Sequence, residues 1–389
     1  MHRSIGCACA LMLIAGTQAS AQVVAQGGAQ IGAQVGAVPA SARYVIPTGP
    51  QNVTLPNGQA SVMDTQVVWK PVCSNRAGMT SADLVRMSRT HAEAISNPDA
   101  NTIVNNGRNR AGLDVVYVLG ANVPAAAVPA FAAAEAYLES QFPNDPFTLT
   151  VTVSFASLQS GVIGGTSSSY GYLTWTDMRN TLQAGADASD GILASLPAGT
   201  TIPVRYRTNR TTNEDRVFTT YANFKANGGA VTGNDASMQY STNFPFDYDP
   251  SNGVTTNTIS LQDVIIHETG HAMGCTSGLD FRASDIEVLD VFRFQRTDGN
   301  SDYNPDTAAE FQVRARMGVF NYNDDHNLDV IGAAEYRLSD GSPYQASHFR
   351  EQVPVIGIMD PAFSYGETFY PNFLRASDIT LFDALGYDN

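Results

Sequence analysis

Hydrophobic and polar residues follow clear periodicities between residues 113 and 158. The apolar run at 113–119 is typical of a buried strand. The Ala-rich segment 124–142 repeats apolar residues at intervals of three and four, which predicts a helix with one apolar face. Residues 147–158 then alternate between apolar and polar side chains, as a half-buried strand does. This order of strand, helix and strand predicts a βαβ unit.

Weaker patterns continue along the rest of the chain. They predict a helix at 175–182 and strands at 217–224 and 237–246, where an edge strand could line a substrate cleft. A last helix is predicted near the C-terminus, with Ser377 as its cap and Gly386 as its stop. The stretch before this helix is irregular and rich in Asp, Asn, Tyr and Gly. Together these elements predict an α+β fold.

The first 21 residues have the three parts of a secretory signal peptide. A basic start precedes an apolar run at 7–16, and Ala19 and Ala21 form a small-residue cleavage site before Gln22. The apolar run is shorter than the roughly 20 residues that a membrane span needs. We therefore expect a secreted protein, periplasmic or extracellular, without a membrane anchor.

Residues 22–110 are expected to form a leader and an N-terminal extension. The part at 22–45 is a low-complexity Ala, Gln, Gly and Val segment, which indicates a flexible leader. The part at 46–110 is rich in Asn, Thr, Ser and Pro, and the sequence leaves open whether it is a removed propeptide or a retained extension. A catalytic domain is expected at 111–389.

Composition narrows the classes of partner. Hydrophobic residues make up 43% of the chain, which is enough to build a substantial core in a protein of 389 residues. The formal net charge is -15. Because nucleic acids and anionic membranes need a basic surface, this charge argues against both as partners.

The segment 260–274 carries the strongest chemical pattern. Ser260 and Asp263 resemble a helix-opening capping pair, and an apolar run follows them. His267 and His271 are four residues apart, so both imidazoles project from one face of a helix and can hold one zinc ion. Glu268 lies beside that face, where it can act as general base toward a zinc-activated water. The alternative interpretation is a core helix with two hydrogen-bonded histidines.

A catalytic zinc ion needs a third protein ligand and an open position. In the compact three-histidine pattern this ligand would be residue 277, which is a serine here. The remaining candidates are His348, Asp280, Glu287 and His326. The residues alone leave the choice among these four open. We expect His326 to be a solvated loop residue, because it follows a run of Asn and Asp.

The sequence around these residues resembles the leishmanolysin-type metzincins. In that family an insertion separates the helix motif from the third histidine, and a methionine turn follows beneath the metal. The resemblance implies a metzincin-like fold, in which a twisted mixed sheet carries an active-site helix and an irregular C-terminal subdomain follows. It also implies zinc ligation by three histidines and catalysis by a glutamate. On this ground we favour His348 as the third ligand, with Asp280 as the second choice. The matching positions are His267, Glu268, His271, Gly274, His348 and Met359.

Two features depart from that family. Leishmanolysins are rich in disulfides, whereas Cys73 and Cys275 are the cysteines left after the signal peptide. Pro361 stands where some metzincins have a tyrosine ligand, so no tyrosine ligand is assigned. In an oxidising compartment we favour a Cys73–Cys275 disulfide. The alternative is a Cys73 thiolate that caps the zinc ion in a precursor.

Acidic and amide-rich loops at 247–253, 298–306 and 321–329 have the hard oxygen ligands that calcium prefers. None has the spacing of an EF-hand, so we expect solvated turns and assign no calcium ligands.

The sequence therefore predicts a secreted zinc-dependent endopeptidase that acts on a protein or peptide substrate, with His267, His271 and His348 as ligands and Glu268 as base. Two other classes remain open. One is a zinc hydrolase that cleaves a non-peptide amide, and the other is a non-enzymatic secreted binding protein with a relic zinc site. The presence of Glu268 argues against the relic.

Overall fold

The chain is described by a computed structural model, in which all described residues fall within the unit Ala33–Asn389. The predicted signal peptide at 1–21 lies outside the described residues, as does most of the leader. The described ranges are 34–36, 49–75, 100–105, 111–188, 191–207, 210–280, 285–296, 304–318, 326–332, 334–341 and 344–388.

The strands are numbered in chain order. They are β1 (Gln34–Gly36), β2 (Gly49–Thr54), β3 (Ala60–Asn75), β4 (Ala100–Asn105), β5 (Asp114–Gly120), β6 (Thr148–Ala156), β7 (Val162–Thr174), β8 (Ile202–Arg207), β9 (Arg210–Glu214), β10 (Arg216–Thr220), β11 (Ala236–Ser241), β12 (Phe246–Asp247), β13 (Ile259–Ser260), β14 (Arg293–Gln295), β15 (Arg316–Met317), β16 (His326–Leu328), β17 (Tyr336–Leu338) and β18 (Ala362–Phe363).

The α-helices of the described residues are numbered in the same way. They are α1 (Val128–Gln141), α2 (Trp175–Gly185), α3 (Tyr221–Ala226), α4 (Leu261–Ala272), α5 (Val288–Val291), α6 (Ala308–Val313) and α7 (Ala376–Ala384). No helix among these residues is long and apolar enough to cross a membrane.

A mixed sheet of ten strands organises the fold, in the order β1-β4-β5-β6-β11-β7-β3-β18, with β10 also paired to β7 and β2 to β3. Strands β5 and β6 pair in parallel and α1 connects them, so the predicted βαβ unit is confirmed. Three small sheets, β12-β13, β14-β16-β17 and β15-β8-β9, complete the strand pairing. This mixture of helices and mixed sheets is compatible with the expected α+β class.

Strands from the predicted N-terminal extension belong to this same sheet. β3 pairs with β7 in antiparallel register from Asp64 opposite Tyr172 to Ser74 opposite Val162. On the other side of the sheet, β4 pairs with β5, and the short β1 from the predicted leader pairs with β4. The backbone of the extension is therefore hydrogen-bonded to the predicted catalytic domain at several places, which include the pairing of β3 with β18.

Two strand predictions were wrong in extent. The strand predicted at 217–224 ends at Thr220, whose hydroxyl accepts a hydrogen bond from the Asn223 amide and thereby opens α3. The strand predicted at 237–246 ends at Ser241, and β12 is a separate element. Strand β11 is also not an edge strand, because it lies between β6 and β7.

Helix α4 packs across the sheet and against α1. All of its residues are buried, and its Thr269 hydroxyl is hydrogen-bonded to Tyr117 of β5 at 2.8 Å. The helix ends at Ala272, and Gly274 follows with a φ of +113°, a conformation that favours glycine and lets the chain turn back. Near the C-terminus, α7 buries Leu381 and Phe382 in the core, and Gly386 with φ +83° follows it as predicted.

Candidate metal centre

The N-terminus of α4 is fixed by the capping pair that the sequence predicts. Ser260 is the cap residue, and its hydroxyl both accepts from the Asp263 amide and donates to the Asp263 carboxylate. The same carboxylate accepts a hydrogen bond from the Phe369 amide at 2.6 Å and another from the Thr368 hydroxyl at 2.9 Å. This anchoring fixes where α4 begins, and with it the direction in which the motif side chains point.

Two histidines project from one face of α4, as their spacing predicts. The Nε2 atoms of His267 and His271 are 3.1 Å apart. His348 reaches them from the irregular segment after β17, and its ring lies 5.3 Å from that of His267 and 4.8 Å from that of His271. The candidate ligand atoms of the three residues lie within 4.8 Å of one another, and all three residues are fully buried. This group could hold a metal ion.

The protons of the three rings are directed away from the centre. The Nδ1 atom of each ring lies against a main-chain carbonyl oxygen, which can only accept a hydrogen bond. His267 faces Ile358 at 2.7 Å, and His271 faces Cys275 at 2.6 Å. His348 faces the carbonyl of Gln345 at 3.2 Å. Each Nδ1 must therefore be the donor, which leaves the Nε2 lone pairs directed toward one another.

This arrangement favours a cation at the centre. Burial lowers the pKa of His267 to about 4, although the Ile358 carbonyl opposes this shift, so the ring is neutral near neutral pH. With a proton on each Nδ1, neither His267 nor His271 has a proton on Nε2 to place between the two nitrogens. Two lone pairs facing each other at 3.1 Å in a dry interior repel, and a shared cation removes that repulsion.

Glu268 lies next to the group and is only partly hydrogen-bonded. The Thr166 hydroxyl of β7 donates to its Oε2 at 2.7 Å, whereas Oε1 is buried without a hydrogen-bond partner among the described residues. Burial raises the pKa of Glu268 to about 8, and the bond from Thr166 opposes this shift. Thr166 could not be predicted as a partner of Glu268, because it lies on a strand 102 residues earlier in the chain.

Met359 lies under α4, where the resemblance places a methionine turn. A Cβ on Gly270 would come within 2.5 Å of the Met359 sulfur, so a glycine is needed for this close contact. The turn is held by Asp378 of α7, whose carboxylate accepts from the amides of Ile358 at 2.9 Å and Met359 at 3.1 Å.

The predicted cap of α7 was wrong, because Ser377 donates to Ile356 and Asp378 accepts from the Arg375 amide.

The other candidates for the third ligand lie outside the group. Asp280 accepts hydrogen bonds from the amides of Ala346 and Ser347, and Glu287 accepts one from the Thr276 hydroxyl. The expectation of a solvated His326 was wrong. It is fully buried in β16, where burial and the nearby Arg293 lower its pKa well below the usual value.

The cysteine and calcium hypotheses remain predictions. Cys275 is buried with its sulfur 3.2 Å from the Ser347 carbonyl oxygen, and the side chain of Cys73 lies outside the described residues. In the loop at 247–253, Asp247 accepts hydrogen bonds from the amides of Asp249 and Thr255, as in an ordinary turn. The loops at 298–306 and 321–329 lie mostly outside the described residues.

Comparisons with known proteins add no relative. No protein-family model, curated protein or solved structure matches the chain.

Removing His348 should disrupt metal binding. Loss of residues that merely support a ligand costs about 10–100-fold in affinity, so His348→Ala should weaken cobalt(II) binding by at least about 100-fold. His326→Ala is the matched control, because this buried histidine lies outside the group and contacts Arg293 instead, so its loss of affinity should be much smaller than that of His348→Ala. Competition with a chromophoric chelator measures both. Equal affinities in the two variants would contradict the assignment of His348.

The buried Glu268 should make the metal-free protein less stable as the pH rises. Its folded pKa of about 8 lies above the ordinary 4.5, so between these values the folded state binds more protons than the unfolded chain. The contribution of Glu268 to the free energy of unfolding is therefore most favourable at low pH and decreases as the pH rises to about 8. Relative to Glu268→Gln, the wild type should lose up to about 1.4 kcal/mol per pH unit in that window.

Urea unfolding in the presence of a chelator, at several pH values from 4.5 to 8, measures this difference. Subtracting the variant removes the contributions of all other groups. A difference that does not change with pH, or that grows in favour of the wild type, would contradict the raised pKa.

Proposed function

We propose that the chain is a secreted, zinc-dependent endopeptidase of the leishmanolysin-like metzincin type. One observation carries the proposal: three buried imidazoles direct their Nε2 lone pairs to one centre, beside a glutamate whose Oε1 has no hydrogen-bond partner among the described residues. The motif on α4, the distant third histidine and the methionine beneath the helix support the metzincin type. The N-terminal pattern of a signal peptide supports secretion.

The donor set suits zinc. Neutral imidazole is a preferred ligand of zinc, and three histidines leave a fourth position open, as in catalytic sites. Two nitrogens that each lie about 2.0–2.1 Å from a tetrahedral ion are about 3.3 Å apart. The observed 3.1 Å between the Nε2 atoms of His267 and His271 is close to that value, so these two rings need little movement.

Glu268 would move the protons during hydrolysis. The bond from Thr166 fixes the orientation of its carboxylate, and Oε1 remains available to accept a proton from the attacking water. A cation on the neighbouring imidazoles favours the charged form of Glu268, which a base requires. The same group can then return the proton to the leaving amine. A bound zinc ion would supply polarisation of the scissile carbonyl and activation of water.

Glu268→Gln should abolish peptide hydrolysis while it leaves metal binding intact. The amide keeps the size of the side chain but cannot accept the proton, so casein cleavage should fall by at least about 100-fold, the lower range for a general base. Zinc content, measured on the same samples, should stay at that of the wild type.

Retention of full cleavage by Glu268→Gln would overturn the assigned role. If the zinc-loaded wild type cleaves small amides but no peptide, the non-peptide hydrolase is favoured. If it cleaves neither, the non-enzymatic binding protein is favoured.

We also propose that the N-terminal extension acts as a propeptide. The end of β3 lies between two strands that flank the centre: it pairs with β7 near Gly164 and with β18 at Phe363. An added Cβ on Gly164 would lie 3.2 Å from Glu268 Oε1, and the Phe363 ring packs edge-on against His267 at 5.5 Å. Departure of β3 would free the edge of β7 beside the centre, where an extended polypeptide could pair.

Cutting the chain after β3 should therefore raise its activity. A recognition sequence for a specific protease would be inserted between residues 76 and 99, and the same sequence at the exposed turn Asn57–Gly58 would serve as control. Cleavage at the first position frees β3 from the following chain, whereas cleavage at the second leaves it attached. We expect faster cleavage of casein only for the first, and inhibition when a peptide of residues 60–75 is added back. Equal activity in both cut forms would contradict the propeptide role.

A further inference from the structure

The carboxylate of Asp280 holds the main chain that immediately precedes His348. Asp280 ends the short 3₁₀ helix Gly278–Asp280 and is buried. Its Oδ1 accepts from the Ala346 amide at 2.6 Å, and its Oδ2 accepts from the amide and the hydroxyl of Ser347 at 3.0 and 2.8 Å. Three donors from two consecutive residues thus converge on one carboxylate.

A second side chain forms hydrogen bonds with carbonyl oxygens of the same segment. Arg293 of β14 is fully buried and donates to the carbonyl oxygens of Ala346 at 2.6 Å and Ser339 at 2.9 Å. Asp290 pairs with Arg293 at 2.9 Å and also accepts from the Ser277 hydroxyl at 2.7 Å. The segment that follows α4 therefore forms one connected network with the segment that carries His348.

This network connects the loop of His348 to the chain around it. Within the loop, the ring nitrogen Nδ1 faces the carbonyl of Gln345. On the C-terminal side of His348, the amide of Phe349 donates to the Met359 carbonyl at 3.0 Å. On the N-terminal side of His348, Asp280 connects the loop to the chain that leaves α4, and α4 carries the other two histidines.

We propose that Asp280 is a positioning residue for the metal ligand His348 and is not itself a ligand. The inference rests on the metal site of the proposed function. A carboxylate fits this task because its two oxygens can accept all three of the hydrogen bonds that reach it. In Asp280→Asn, one oxygen would become an NH2 group directed at a main-chain or hydroxyl donor, so at least one bond is lost without a change in volume.

The test measures cobalt(II) affinity and the visible absorption of the cobalt-loaded full chain. Loss of an outer residue that orients a ligand costs about 10–100-fold in affinity, and we expect this loss for Asp280→Asn, with a changed cobalt spectrum. Asp235→Asn is the matched control. Asp235 is also fully buried and accepts from the Thr150 amide at 2.8 Å and from Lys225 at 2.7 Å, and none of its recorded partners is in the metal group. It should lose stability while cobalt affinity and spectrum are kept.

A double-mutant cycle separates positioning from direct ligation. If Asp280 acts through His348, Asp280→Asn should weaken cobalt binding in the wild type but have no further effect in the His348→Ala background. An unchanged affinity of the single variant, or an equal loss in both backgrounds, would overturn the proposal. Ser347→Ala removes one of the three hydrogen bonds and provides a milder variant if Asp280→Asn does not fold. It should weaken binding in the same direction, and an unchanged affinity and spectrum would then overturn the proposal.

The outcome is independent of the peptidase assay. Metal affinity is measured without substrate, so failure of the zinc-loaded wild type to cleave peptides would overturn the proposed activity and leave the positioning role standing.

Discussion

The arrangement of the site depends on three imidazoles that are fully buried and whose candidate ligand atoms lie close together. In each ring a main-chain carbonyl holds the Nδ1 proton, which fixes both the tautomer and the direction of Nε2. Without a cation, two lone pairs 3.1 Å apart repel each other, and the surrounding structure must bear that cost. The centre therefore needs a rigid frame, and the buried side chains of Asp378, Asp280 and Arg293 contribute to it through hydrogen bonds to the main chain.

The three carbonyls come from three separate segments, and each segment has its own support. Cys275 follows the turn at Gly274, where the positive φ directs the chain back toward α4. Ile358 lies in the turn that the Asp378 carboxylate holds through two amides. Gln345 precedes the residues that Asp280 and Arg293 grip. In a compact motif, a short continuous stretch of chain keeps the ligands together. Here buried carboxylates, which accept hydrogen bonds from main-chain amides, hold the separate segments instead.

The elements that depend on local pattern could be predicted from the sequence, and those that depend on distant partners could not. The βαβ unit, α4 and its capping pair follow from periodicity and from residues a few positions apart. The early end of β10 was missed because the hydroxyl of Thr220 caps a helix within an apolar run. His326 looked solvated because its neighbours in sequence are polar, whereas its partner in space is Arg293 of another strand. The grouping of the three histidines could be proposed only through a resemblance, since spacing alone left Asp280 and Glu287 open.

Burial of Glu268 has opposite consequences with and without a cation. In the metal-free protein the raised pKa keeps the carboxyl protonated near neutral pH, which avoids an uncompensated charge in the core. A divalent ion on the adjacent imidazoles would favour the ionised form, so metal binding should release a proton from the site. In the proposed enzyme the base would therefore become competent only when the metal is bound. The same burial that surrounds the three histidines would then also prevent Glu268 from acting as a base when no metal is bound.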